Sequence, residues 1–243
     1  MPTPIVVRHG ERELAGLTQP GESWGAAAAR IGLREAWAVD LSGEVKVFAT
    51  DPMPSVALRE MTPGDLRSVS RWRYAEHVAR WYHGTDEADL DSVTARYGPR
   101  LEASGPIRMW VVEVNGRSIG YVQDYRIGDV PGFAAIAPTE PDSVGGDYLI
   151  GEIAWAGRGL GTRMLWAWLR TIPGRYPAAR EVFCAPDHAN LASLRVLDKL
   201  GFRRGVWFDE PAPGGGIDTM VACSLDLPRV VGTGSRPGPE GDG

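Results

Sequence analysis

The sequence is short of cysteine. Its 243 residues include only two, Cys184 and Cys223, too few for a disulfide framework or a cysteine-rich zinc site. Each sits in an apolar, strand-like stretch, Val182-Phe183-Cys184 and Val221-Ala222-Cys223, which fits two reduced core thiols. The four histidines are scattered, and their spacing suggests no metal site. No apolar run approaches the roughly 18–20 residues of a membrane span. The first ten residues lack the apolar core and cleavage pattern of a signal peptide, so a soluble cytoplasmic protein is expected. Positive charge is in deficit, with 26 Lys and Arg against 31 Asp and Glu, a net charge of −5. That balance argues against nucleic acid held by bulk charge and fits a small cationic partner.

What is present is an ordinary globular balance, 43% hydrophobic and 23% charged, in a chain long enough for one or two domains. Asp51-Pro52-Met53-Pro54 punctuates the chain, because each proline holds the residue before it extended. Residues 1–54 therefore read as an N-terminal extension of strand, helix and strand. Its helix holds Ala26 to Ala29, and its later strands run from Trp37 to Val39 and Val45 to Phe48. Residues 229–243 end in Gly, Pro and charge that cannot offset the entropy of ordering, and read as a disordered tail. Between them, residues 55–228 alternate strand and helix patterns. Val56 to Glu60 is a strand, Leu66, Val69 and Trp72 follow at helical spacing, and His77 to Tyr82 is a short helix. Met109 to Val114 and Ser118 to Ile127 flank Asn115-Gly116, the strongest short hairpin signal. Tyr148 to Trp155 is a strand, Gly159 to Thr171 a helix, Glu181 to Cys184 a buried strand, and Asn190 to Leu200 a helix closed by Gly201. Two final strands follow. The fold class is α/β, with a mixed central sheet flanked by helices.

The chemistry concentrates where the Tyr148 strand runs into Gly157-Arg158-Gly159-Leu160-Gly161-Thr162 and a helix. Glycines let the backbone approach a ligand, and the first-turn N–H groups with the positive dipole end behind them form a cradle for phosphate or pyrophosphate. No Gly-Lys-Ser/Thr ends the loop, so it is not a Walker loop, and it does not open a first βαβ unit as a dinucleotide fingerprint does. About thirty residues later comes Asn190-Leu191-Ala192-Ser193-Leu194-Arg195-Val196-Leu197, opening a second helix after a strand.

This pairing resembles the GNAT superfamily of acyl-CoA-dependent N-acyltransferases, over roughly Val56 to Leu227. The resemblance implies that Ile153, Gly157, Arg158, Gly159, Leu160, Gly161, Thr162 and Asn190 hold acetyl-CoA as co-substrate. Within the superfamily the pattern is most similar to aminoglycoside 6′-N-acetyltransferases. His77 to Gly84 (HVARWYHG), Val114 to Tyr125 (VNGRSIGYVQDY) and Gly145-Gly146-Asp147 carry that likeness. It implies that Asp147 binds or deprotonates the amine, and that the strand carrying Asp124 forms part of the substrate wall. Two departures stand out. Ala156 occupies a position where Gln or Arg is common, and Leu197 stands where many members place a tyrosine that protonates the leaving thiolate. Another group, such as Tyr148 or water, must then supply the proton, or the thiolate leaves unassisted.

Direct acyl transfer needs a group that takes the amine proton, and a carboxylate serves. Asp147 and Glu152 are the candidates. Five apart on one expected strand, they point to opposite faces, and Asp147 is preferred. The plain alternative for Asp147 is a turn acid after two glycines. Trp81 and Tyr82 offer aromatic walls for a sugar or an ammonium, and Trp81 also fits a core anchor. The acids Asp86, Glu87, Asp89, Asp91, Asp129, Glu140 and Asp142 read mostly as solvated surface. His188, in an Asp-His-Ala-Asn turn, fits helix-start chemistry with Asp187 favouring the dipole.

The expected activity is acetyl-CoA-dependent N-acetylation of an aminoglycoside-type antibiotic, conferring resistance. The partner is a small polycationic amine, with no nucleic acid, membrane or metal, and the protein is a monomer or homodimer. Alternatives are a siderophore precursor or other small amine as acceptor, and a non-catalytic acyl-CoA-binding domain. Ile5-Val6-Val7-Arg8-His9-Gly10 also resembles the Arg-His-Gly signature of histidine phosphatases. The fifty residues before Pro54 are too few for that domain, so the likeness is read as chance or a remnant.

Overall fold

The computed structural model describes residues 1–33, 37–50, 55–82, 88–102, 104–212 and 215–232. The chain begins with β1 (Pro4–His9), β2 (Arg12–Leu17), α1 (Trp24–Ile31), β3 (Trp37–Asp40) and β4 (Lys46–Ala49). These make a four-stranded sheet in the order β2-β1-β4-β3, richer than the strand-helix-strand unit expected. Arg12–Leu17 carries no sequence signal because it is almost wholly exposed and has no buried face to mark it. Arg8-His9-Gly10 is the entry to the β1–β2 hairpin. Arg8 and Arg12 flank the turn, His9 pairs with Arg12, and Gly10 takes φ +59°. The His9 ring contacts Thr50 Oγ1, so the motif is hairpin structure.

The rest of the chain gives β5 (Val56–Glu60), α2 (Leu66–Tyr74), α3 (Glu76–Ala79), α4 (Leu90–Tyr97), β6 (Ile107–Val114), β7 (Arg117–Arg126), α5 (Pro131–Ala134) and β8 (Val144–Ile150). Then come α6 (Leu160–Leu169), α7 (Ile172–Arg175), β9 (Glu181–Cys184), α8 (Leu191–Lys199), β10 (Arg203–Pro211), β11 (Ile217–Asp226) and α9 (Leu227–Val230). The second sheet has seven strands in the order β10-β11-β9-β8-β7-β6-β5. Its pairs are antiparallel except β8–β9, which is parallel, so the sheet is mixed as the α/β patterning implied. Asn115 (φ +50°) and Gly116 (φ +75°) form the β6–β7 turn, where both central residues need positive φ.

One core joins the two sheets. Ile5, Val7, Trp24 and Phe48 are buried in the same cluster as Met164, Leu165 and Trp166 of α6 and Leu194 and Leu197 of α8. Phe48 meets Trp166 edge-on at 5.4 Å between ring centroids. The Leu41 N–H donates to Lys199 O at the end of α8. The N-terminal sheet thus braces the two helices whose starts form the loop cradle. The segment Asp51–Pro54, expected as the boundary, lies outside the described residues. Residues 229–230, expected in the tail, belong to α9. Val230 is buried against the same core, and Asp226 caps α9 through the Arg229 N–H. Residues 233–243 lie outside the described residues.

Candidate active site

β8 and β9 pair only at Val144–Val182 and Gly145–Phe183. Past Gly145 the two strands part, and a cleft of about 980 Å³ opens beside Gly146, Asp147 and Tyr148. The start of α6 lines one end. Gly157 and Gly159 have φ of +71° and +75°, a region where a Cβ is strained. Gly159 is the helix N-cap and has no side chain to satisfy the N–H groups that follow. Those N–H groups lack helical acceptors and face outward with the dipole behind them, which suits an anion. Gly161 lets α8 approach, since a Cβ there would lie 3.0 Å from Val196. Asn190 caps α8, its side chain accepting from the Ser193 N–H at 3.1 Å. Gly157, Gly159, Gly161, Thr162 and Asn190 therefore share the cleft. Leu160 turns its side chain into the core, Arg158 is exposed, and Ile153 lies in a separate shallow hollow beside Glu152.

Asp147 lies on the cleft wall opposite Gln123 in the β7–β8 register. Gln123 Nε2 donates to its carboxylate at 2.6 Å, and Tyr125 OH donates at 3.3 Å. Burial pushes its carboxyl above the ordinary value, although the amide, the phenol, Arg100 and Arg96 pull the other way. A carboxylate so placed is a better proton acceptor than one in water.

Glu152 is not on this strand, because β8 ends at Ile150. The N–H groups of Gly151 and Glu152 both go to Ile119 O. The Glu152 carboxylate accepts from Trp72 Nε1 at 3.0 Å and Arg71 at 2.5 Å. Trp72 first, then Arg71, holds its carboxyl below the usual range. Glu152 is a structural ion-pair partner, and Asp147 alone of the two faces the cleft.

Asp124 is the larger correction. It is fully buried on the opposite face of β7 from Gln123, as strand alternation requires. It accepts from Trp110 Nε1 (2.8 Å), Trp168 Nε1 (2.9 Å), Arg175 (2.6 Å) and Tyr176 OH (2.7 Å). Gly146, its neighbour across the strands, leaves the room that Trp168 fills; a Cβ there would lie 2.3 Å from that ring. Four donors saturate the carboxylate, and none of it reaches the cleft. The described acids of the group expected as solvated surface are surface residues or caps. Asp129 and Asp142 pair with Arg126, and Asp89 caps α4. Asp86, Glu87 and His83 lie outside the described residues.

Trp81 and Tyr82, on the turn after α3, both line the cleft, and the Arg73 guanidinium lies 4.2 Å over the Tyr82 ring. His188 stands on the rim, its Nδ1 3.1 Å from Thr219 O and its ring 5.3 Å from Trp207. Leu197 is fully buried. Gln123, Tyr125 and Asp218 have no role in the sequence pattern, and Asp187 reads there only as a helix-start acid. Gln123 and Tyr125 hold Asp147, and the two-residue spacing along β7 is the signal that marks them as its neighbours. Asp187 and Asp218 line the cleft from the β9–α8 turn and from β11, and no local pattern joins those segments. Among the described residues, no cluster of His, Cys, Asp and Glu forms a metal site. No described helix is long and apolar enough to cross a membrane.

A model of the acetyltransferase (GNAT) domain matches residues 62–209. Aminoglycoside N(6′)-acetyltransferase type 1 of Klebsiella pneumoniae is 30% identical over 159 residues, which is 65% of this chain and 78% of that protein. The crystal structure of aminoglycoside acetyltransferase AAC(6′)-Ib with coenzyme A is 28% identical, with a TM-score of 0.58, covering 69% of this chain and 94% of that one. The same enzyme with paromomycin and acetyl-CoA has a TM-score of 0.58 and 28% identity, covering 69% of this chain and 92% of that one.

Proposed function

This chain belongs to the GNAT acetyltransferase domain family, and we propose that it acetylates an amine of an aminoglycoside-type antibiotic from acetyl-CoA, so conferring resistance. One observation carries the reading. A single cleft joins the bare, glycine-shaped start of α6 and the Asn190-capped start of α8 to a buried carboxylate, Asp147, with Trp81 and Tyr82 lining the same cleft. The relatives named for aminoglycoside acetylation and the structures holding acetyl-CoA and paromomycin support it.

In this reading the outward N–H groups at Gly159 to Thr162 hold the pyrophosphate of the co-substrate. Asp147 takes a proton from the acceptor ammonium, helped by its raised pKa. Asp187 and Asp218 line the same cleft as Asp147, and carboxylates there would attract a cationic acceptor. Transfer is direct, with no cysteine nucleophile: Cys223 lies outside the cleft, and Cys184, which lines it, has its thiol pushed well above the ordinary value by burial.

A second acceptor class has an observation of its own. Arg96 and Arg100 act electrostatically on Asp147, and Arg100 donates to Gln123 at 2.6 Å. Cations there favour a small amine that carries its own carboxylate, as a siderophore precursor does. An amine panel with acetyl-CoA, read by thiol release and by mass spectrometry of the product, separates the cases. Turnover of aminoglycosides supports the first acceptor class, and turnover confined to amino-acid-like amines supports the second. Acetyl-CoA binding without turnover of any amine removes both in favour of an acyl-CoA-binding domain.

A further inference from the structure

Proton supply to the sulfur is the step that the expected helix position leaves without a donor. Leu197 has no proton to give, and its side chain is fully buried. Ser193 stands four residues earlier on α8, one turn nearer the helix start on the same face. Its Oγ lies 2.6 Å from the Tyr148 hydroxyl, which reaches across from β8. Both residues line the cleft. Tyr148 directly follows Asp147, so the pleat turns the two side chains to opposite faces of the sheet. The β8–β9 pairing has ended at Gly145, so both residues stand beside the opening. One strand thus presents a carboxylate to one face and a phenol to the other, across the place where the sheet parts. Burial holds the phenol well above its ordinary value, so it carries its proton at neutral pH.

We propose that Tyr148 is the hydrogen-bond and proton donor to the departing CoA sulfur, a role that rests on the acetyl-transfer reading above. The amine nitrogen, relieved of one proton by Asp147, bonds to the thioester carbonyl carbon. The C–S bond then breaks, with its electron pair going to sulfur. The Tyr148 O–H proton moves to that sulfur, and the second N–H proton of the now positive nitrogen refills the phenol through water or Ser193. A free thiol, of ordinary pKa about 8.5, is more acidic than an ordinary phenol at about 10 and more so than this buried one, so the refilling from the positive nitrogen is what completes the transfer. The products are one amide, one thiol and one proton, which Asp147 returns to solvent.

The test compares Tyr148→Phe, which keeps the ring, and Ser193→Ala with the parent protein, using acetyl-CoA and the best amine of the panel. Tyr148→Phe is expected to lower kcat roughly 10- to 100-fold, with KM for acetyl-CoA within about threefold, because a positioned proton donor acts on the chemical step. Ser193→Ala lowers kcat less, since the phenol remains. A second readout needs no acceptor. The affinity of CoA relative to desulfo-CoA is measured against pH. In the parent the ratio rises as the thiol ionises, because the phenol donates to the thiolate, and in Tyr148→Phe the rise is lost. A merely structural role would move both ligands together. Parental kcat in Tyr148→Phe, or an unchanged ratio, overturns the role of Tyr148 alone. A parent protein that releases no thiol with any amine overturns the transfer reading and this role with it.

Discussion

Gln123 and Asp147 face each other directly across the β7–β8 pair, and the Gln123 amide donates to the Asp147 carboxylate at 2.6 Å. Tyr125, two residues along the same face, adds its hydroxyl at 3.3 Å. The carboxylate is held on a rigid strand, turned into the cleft rather than into an ion pair.

Replacing Asp147 by Asn keeps the shape and removes the base. We expect kcat/KM for the amine to fall roughly 10²- to 10⁴-fold. Burial raises the Asp147 pKa, so the acid limb of the parent's activity lies above the ordinary carboxylate value. The folded protein holds this proton more tightly than the unfolded chain does. The stability it favours is full below the unfolded pKa and declines as pH rises through the folded one. At neutral pH Asp147→Asn is therefore expected to melt no lower than the parent. Unchanged kcat/KM would remove Asp147 as the base.

Asp124 gives the opposite pattern. Its removal as Asp124→Ala strands the Arg175 guanidinium, which is 17% exposed, and three further donors. Breaking a buried pair from one side costs about 3–5 kcal/mol. Thermal melting should show that loss, while KM for the amine in the folded fraction stays at the parental value. A raised KM with an unchanged melting temperature would return Asp124 to the substrate wall.

At Gly159, φ is +75° and no atom crowds the Cβ position. The effect of Gly159→Ala is therefore conformational, about 1 kcal/mol. If the loop N–H groups hold the pyrophosphate, KM for acetyl-CoA rises several-fold while kcat changes little. Calorimetry with CoA checks it, and parental affinity would move the cradle elsewhere.

The N-terminal sheet offers a stability test. Phe48 is fully buried against Trp166, and truncating such a phenylalanine costs about 3–5 kcal/mol. Because the two sheets share a core, Phe48→Ala should shift one cooperative melting transition. A separate early transition that leaves acetyl-CoA binding intact would show that residues 1–50 melt alone.

Acid stability turns on Asp65. Arg59 donates to it at 2.7 and 2.8 Å, and that pairing first of all lowers its pKa to about 2. Its contribution is present above the ordinary carboxylate pKa and is lost as pH falls toward 2. Arg59 is 39% exposed, so screening leaves about 1 kcal/mol at neutral pH. Asp65→Asn should cost that much at pH 7, with the cost shrinking as pH falls through about 2 in denaturant titrations.

Local pattern was enough for much of this protein. The glycines before α6, the Asn190 cap of α8 and the Asn115-Gly116 turn each act through backbone geometry within a few residues, so their meaning is written where they stand. The α/β class follows from the same alternation of periods. Asp124 and Glu152 show the limit. Both are acids on or beside strands near the site, and their neighbours in sequence do not reveal that Arg175, Trp168 and Trp72 are waiting for them. Arg12–Leu17 escaped notice for a related reason, since an exposed edge strand carries no apolar face. The sequence by itself determined the elements and the loop cradle, because capping, turn and glycine effects are short-ranged. Only the tertiary structure decided which carboxylate faces the cleft, because that depends on the cations and indoles that packing brings from as far as 80 residues away.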